Sequence, residues 1–88
     1  MFSDISKIKM SSFKDQGNAA FKAKDYATAI SHYTSALEET PTEHTILGNR
    51  SAAKYQLKQY DEALADANKC IEIQPDWSKG YQRKAMAL

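Results

Sequence analysis

Residues 26–41 read YATAISHYTSALEETP and residues 60–75 read YDEALADANKCIEIQP. Tyr26, Ala29 and Pro41 of the first run return as Tyr60, Ala63 and Pro75 of the second, each after 34 residues. That interval is the period of a solenoid built from helix-turn-helix units. A unit of this length holds two helices whose apolar faces cannot be buried alone, so copies stack, and the stack curves into a groove. The spacing predicts an all-α fold whose use is to bind other chains.

Working outward, Ser12 followed three residues later by Asp15 reads as a capping box, and Phe13, Gly17 and Phe21 fall on one helical face, which predicts a first helix over 12–23. Asp25 caps a second helix, whose apolar residues Tyr26, Ala29, Ile30, Tyr33, Ala36 and Leu37 advance by three and four and which ends near Glu39. Thr40-Pro41-Thr42-Glu43 combines a cap, proline at the first helical position and an acid at the third, so a third helix is expected to start there and run to about Lys58. A fourth spans Tyr60 to Ile73 with Ala63, Leu64, Ala67, Cys70 and Ile71 inward, and a fifth begins behind Asp76 and runs to the last residue. No strand pattern and no Gly/Ser linker interrupts the series.

The bulk properties narrow the function. With 88 residues, 42% hydrophobic and 26% charged, the chain fits one globular unit. Lys+Arg at 12 against Asp+Glu at 11 gives a net charge of +1, without the electrostatic footprint of a nucleic-acid or membrane-surface binder. MFSDISKIKM at the start lacks the apolar core of a secretory signal and no later stretch approaches membrane-spanning length, so a cytoplasmic location is expected. Cys70, the single cysteine, reads as a buried structural thiol. With His32 and His44, both expected to face solvent, it makes no metal-ligand spacing, and no cofactor is expected. Asp61, Glu62, Asp66 and Glu72 read as the wet face of an amphipathic helix instead of paired catalytic acids, so no enzyme activity is expected. Trp77 reads as a packing staple, and Arg50 and Lys84 as surface charges.

Alignment by the period places Gly17, Ser51 and Ala85 at one site, where a small residue lets paired helices approach closely. Phe21 matches Tyr55, Phe13 matches Leu47 and Tyr81, and Ala36 matches Cys70. Gly17-Asn18-x-x-Phe21, Asp25-Tyr26-x-x-Ala29-Ile30, Tyr33, Ala36 and Pro41 resemble the tetratricopeptide repeat (TPR) signature. The resemblance implies a single TPR domain over 1–88 with about two and a half repeats and five helices: repeat one 10–43, repeat two 44–77 and a partial third 78–88.

The same alignment gathers polar residues on the first helix of each unit. Lys79 falls at the second repeat position, Lys14 at the fifth, Asn49 and Arg83 at the sixth and Asn18 at the ninth. These form one helical stripe, turned about 100° from the Phe13/Gly17/Phe21 packing face. Three cations and two amides on one side suit a carboxylate, which accepts charge-assisted hydrogen bonds from such donors. Asp15 is an acid on that stripe and is expected to point aside.

The constellation resembles the dicarboxylate clamp of chaperone-binding TPR domains, closest to the first TPR domain of the heat-shock organising co-chaperones. By that resemblance Lys14, Asn18 and Asn49 hold the terminal carboxylate of a Glu-Glu-Val-Asp tail, Lys79 reaches the aspartate side chain and Arg83 contacts groups just upstream. A pocket of Ala52, Tyr55 and Gln56 then sets tail preference, for the seventy-kilodalton over the ninety-kilodalton chaperone. Lys54 at position eleven, followed by Tyr55, departs from the usual aromatic there. Two alternatives stand beside this adaptor. One is an oligomerising scaffold that uses the face of Tyr81, Ala85 and Leu88, expected to lie exposed or frayed; the other is the targeting module of a larger TPR-bearing phosphatase or prolyl isomerase.

Overall fold

The computed structural model describes residues 12–88. They form five helices, α1 (Phe13–Lys22), α2 (Tyr26–Glu39), α3 (His44–Gln56), α4 (Tyr60–Ile73) and α5 (Ser78–Ala87), and no strand. The repeat start at Met10 and the leader reading of residues 1–10 lie outside the described residues. No helix among the described residues is long and apolar enough to cross a membrane.

Two expected caps form. Ser12 Oγ accepts the Asp15 amide at 3.0 Å and Asp25 Oδ1 accepts the Thr28 amide at 3.3 Å, each satisfying a donor that the first turn leaves open. Thr40 does not start α3. Its hydroxyl donates back to the Ala36 carbonyl at 3.1 Å, closing α2, and the Glu43 amide donates to the Thr40 carbonyl at 3.2 Å. That second bond makes residues 40–43 a β-turn with Pro41 second, a place that suits its fixed φ, so α3 begins only at His44. Pro75 repeats the arrangement, with the Trp77 amide donating to the Gln74 carbonyl at 3.2 Å before α5 begins at Ser78.

The turns inside each pair follow a second rule. Lys24 and Lys58 adopt left-handed φ values of 64° and 65°. Around them the Asp25 amide reaches back to the Ala20 carbonyl and the Gln59 amide to that of Lys54, both at 2.9 Å, which is the Schellman ending of a helix.

Successive helices pack on each other; α1 also touches α3 and α3 touches α5, whereas α2 and α4 do not meet. Helices that abut on one side and spread on the other curve the stack, with α1, α3 and α5 on the inner side. The core is built mostly from small residues, Ala29, Ala36, Ala53, Ala63, Ala67 and Cys70, so backbones come close. Tyr33, 1% exposed, is its largest enclosed side chain, and it lies directly on Gly17: a Cβ there would sit 2.5 Å from Tyr33 Cε1. At the equivalent point of the next unit, Ser51 donates its hydroxyl to the Ala63 carbonyl at 2.7 Å. Ala85, the third of the set, is exposed.

Several side chains read as surface are not. The Asp66 carboxylate is buried and takes a bidentate fork from Arg50, Nε to Oδ2 and Nη2 to Oδ1, both at 2.7 Å. Lys54, also buried, adds its ammonium to Asp66 at 3.1 Å and to Glu62 at 3.6 Å, while Arg50 Nη1 donates to Thr34 Oγ1 at 3.2 Å. Arg50 and Lys54 stand one turn apart on α3, Glu62 and Asp66 one turn apart on α4, and Thr34 brings in α2. A desolvated carboxylate is tolerated here because two cations meet it. The two histidines are half-buried instead of solvent-facing. His32 stacks on Phe13 at 6.5 Å between centroids, and His44 meets the edge of Trp77 at 5.0 Å. Trp77 is the packing group expected, pressed so close to α3 that a Cβ on Gly48 would lie 2.7 Å from its ring.

Gly17→Ala is expected to lower stability by about 2 kcal/mol in urea unfolding, because overpacking against an enclosed ring outweighs the better helix propensity of alanine. Asp66→Ala strands Arg50 and Lys54 and is expected to cost about 3 kcal/mol or more by the same measurement.

Candidate functional site

Lys14 and Asn18 project from α1, Asn49 from α3, and Lys79 and Arg83 from α5, the three helices of the inner side. Asn49 Nδ2 donates to Asn18 Oδ1 at 3.2 Å, so the two amides meet across neighbouring units. The hydroxyl of Tyr33, on α2, donates to the same Asn18 oxygen at 2.6 Å. This contribution escaped the sequence reading, which took Tyr33 only as an apolar member of its helix. A tyrosine on the packing face, aimed at a helix carrying a polar stripe, was the available signal.

Arg83 approaches the same cluster from α5. Its Nε is closed off from solvent without a hydrogen-bond partner among the described residues, and its Nη1 has only the Met86 sulfur at 3.9 Å. Burial pushes the Tyr33 hydroxyl up to about 12, against the lowering effects of the Arg83 charge and of a hydrogen bond from Asn49. The Cys70 thiol is likewise pushed up by burial and pulled back in part by Arg83. Asn18, Asn49, Tyr33 and Arg83 are thus one electrostatic unit.

Lys14 and Lys79 have no hydrogen bond or ion pair among the described residues, so their ammonium groups keep their full capacity as donors. Lys14, half-buried, also borders a recess with Phe13, Ala36 and Ile46. Asp15 is exposed, its amide engaged by Ser12. The residues of the expected upstream pocket differ in exposure. Ala52 is 3% exposed and offers almost no surface, Gln56 is open to solvent, and Tyr55 packs edge-on against Tyr60 at 5.4 Å, bordering a recess with Met86 and Leu88. Among the described residues no group of three or more His, Cys, Asp or Glu is placed to hold a metal ion.

Two helix pairs at a 34-residue period, a fifth helix in the place of a third pair's first, and a donor-rich inner face define a helical-repeat binding module. The chain belongs to the tetratricopeptide repeat family: the family model described as "Serine/threonine-protein kinase BSK1-like, TPR repeats" matches residues 3–85. It is 49% identical over 80 residues to "Protein STIP1 homolog" of Dictyostelium discoideum, covering 91% of this chain and 14% of that protein. It is 53% identical over 77 residues to "Heat shock protein STI1" of Saccharomyces cerevisiae, covering 85% of this chain and 13% of that one. The chain therefore spans about one seventh of the length of these relatives. Among solved structures, the TPR2B domain of yeast Sti1 in a complex with pHsp70 superposes with a TM-score of 0.83 at 35% identity, over 85% of this chain and 60% of that one. The first TPR of Spaghetti (RPAP3), bound to the HSP90 peptide SRMEEVD, gives 0.83 at 31% identity, over 85% and 60%.

Because the Tyr33 hydroxyl holds its proton more tightly folded than unfolded, stability it confers is complete below about pH 10 and is lost as pH rises towards 12. In an ultraviolet titration the Tyr33 phenol is expected to ionise only as pH nears 12, and Tyr33→Phe is expected to remove that step.

Proposed function

We propose that the inner face of α1, α3 and α5 captures the C-terminal carboxylates of extended peptides ending in Glu-Glu-Val-Asp, as a cytoplasmic co-chaperone adaptor module without chemistry of its own. The observation that carries this reading is the Asn49–Asn18 hydrogen bond on the inner face that also carries Arg83, Lys14 and Lys79, where among the described residues Arg83 Nε and the two ammonium groups have no partner. A carboxylate has no proton to give and up to four sites that accept, so it matches a face made of donors. The peptide in the Spaghetti complex ends in the same four residues, which supports this class of ligand.

In this reading Lys14, Asn18 and Asn49 take the terminal carboxylate, Lys79 the aspartate side chain and Arg83 groups just upstream. Preference for the seventy-kilodalton chaperone tail over the ninety-kilodalton one then falls to Ala52, Tyr55 and Gln56. An extended peptide loses much of its interaction energy to ordering, so micromolar affinity, about −8 kcal/mol, is expected, weakened by salt. A second reading, self-association through α5, is favoured by Tyr81 and Leu88, which are 50% and 83% exposed. Concentration-dependent sedimentation separates the two, since an adaptor with an open groove stays monomeric.

The test is fluorescence anisotropy of a labelled peptide ending in Glu-Glu-Val-Asp against the same peptide amidated at its C-terminus. Micromolar binding that disappears on amidation is expected. Lys14→Ala is expected to weaken the free-acid peptide roughly thirtyfold, about 2 kcal/mol, and near-native binding by that variant would sink the assignment.

A further inference from the structure

We infer that Tyr33 is a positioning residue that gives the groove its preference for a carboxylate over an uncharged amide, by fixing which end of the Asn18 side chain faces the ligand. The inference rests on the carboxylate-capture reading above.

An asparagine amide is a donor at one end and an acceptor at the other, and the two ends have nearly the same shape. A half-turn about the last side-chain bond therefore converts a site that attracts a carboxylate into one that repels it. In this structure Asn18 has no such freedom. Its Oδ1 accepts from the Tyr33 hydroxyl at 2.6 Å and from Asn49 Nδ2 at 3.2 Å, which fills both lone pairs. The Tyr33 hydroxyl has one proton, and it goes to Asn18. Only Nδ2 of Asn18 is left for a ligand. Tyr33 is 1% exposed and seated on Gly17, so its hydroxyl cannot swing away.

The repeat supplies an internal control. One period on from Tyr33 stands Ala67, wholly buried, and one period on from Asn18 stands Ala52. The stack therefore packs at this position without a tyrosine. The hydroxyl and the amide it holds occur together in the first unit and are absent together from the second.

The experiment measures the free-acid and amidated Glu-Glu-Val-Asp peptides on the unaltered chain, on Tyr33→Phe and on Asn18→Asp, with circular dichroism confirming the fold of each. Tyr33→Phe keeps the ring over Gly17 and removes one oxygen. It is expected to weaken the free-acid peptide about tenfold and to leave the amidated peptide unchanged or tighter, so that the acid-to-amide ratio collapses. A role confined to packing would weaken both peptides equally and keep the ratio. Asn18→Asp retains an acceptor for Tyr33 and Asn49 but has no donor for the ligand, and is expected to lose the free-acid peptide. A ratio within twofold of the unaltered chain in folded Tyr33→Phe, or native free-acid binding by Asn18→Asp, overturns the inference. If the unaltered chain itself fails to distinguish acid from amide, the capture reading falls, and this inference with it. A ratio present in the unaltered chain and kept in Tyr33→Phe removes the Tyr33 role alone.

Discussion

The contact of Tyr33 with Gly17 sets the geometry on which the rest depends. It draws α1 onto α2 to a distance at which no side chain fits between ring and backbone, and that approach brings the hydroxyl within reach of Asn18. One side chain thus links the packing of a helix pair to the chemistry of the face it presents. Asn49 completes the link from the next pair, so the amide cluster exists only when two units are stacked. Binding surface and solenoid are in this sense a single construction.

The small-residue core raises the question of what fixes the rotation of one helix against another, since alanines packed on alanines allow a helix to turn with little change in contact. Directional bonds answer it. The fork from Arg50 to Asp66 sets the register of α3 on α4, and the third guanidinium bond to Thr34 ties the same side chain to α2. Arg50 follows Asn49 directly on α3, so the turn that seats the fork also sets the direction of the groove amide. Buried ion pairs add little net stability over apolar contacts of the same size, but they do distinguish one arrangement from its neighbours.

The helix count, the pairing and the identity of the inner helices were legible from a single interval, because Tyr26/Tyr60, Ala29/Ala63 and Pro41/Pro75 reflect packing that each unit must repeat. The start of α3 was not, because Thr40 carries the chemistry of a cap for either helix and the turn around Pro41 decides between them. Asp66 and Arg50 were misread because composition marks a charge as wet unless its partner is known; the opposed pairs one turn apart on α3 and α4 were the clue. Of the candidate site, the stripe could be placed from repeat positions alone. The hydroxyl of Tyr33 and the closed surroundings of Arg83 come from α2 and from the depth of the groove, which no periodicity reports.

The left-handed residues Lys24 and Lys58 lie one period apart, and each closes its helix with main-chain bonds alone. The angle between the two helices of a pair is therefore written in the backbone, and the exposed lysine side chains at those corners take no part in it. Such a corner works as a standard hinge plate, the same whatever is bolted to either leaf. Recombination at these two positions would exchange α2 together with α3, an inner helix with its recognition residues, and would leave the main-chain bonds of both corners unchanged. New specificities can then arise by trading helices across identical corners, without the fold having to be solved again.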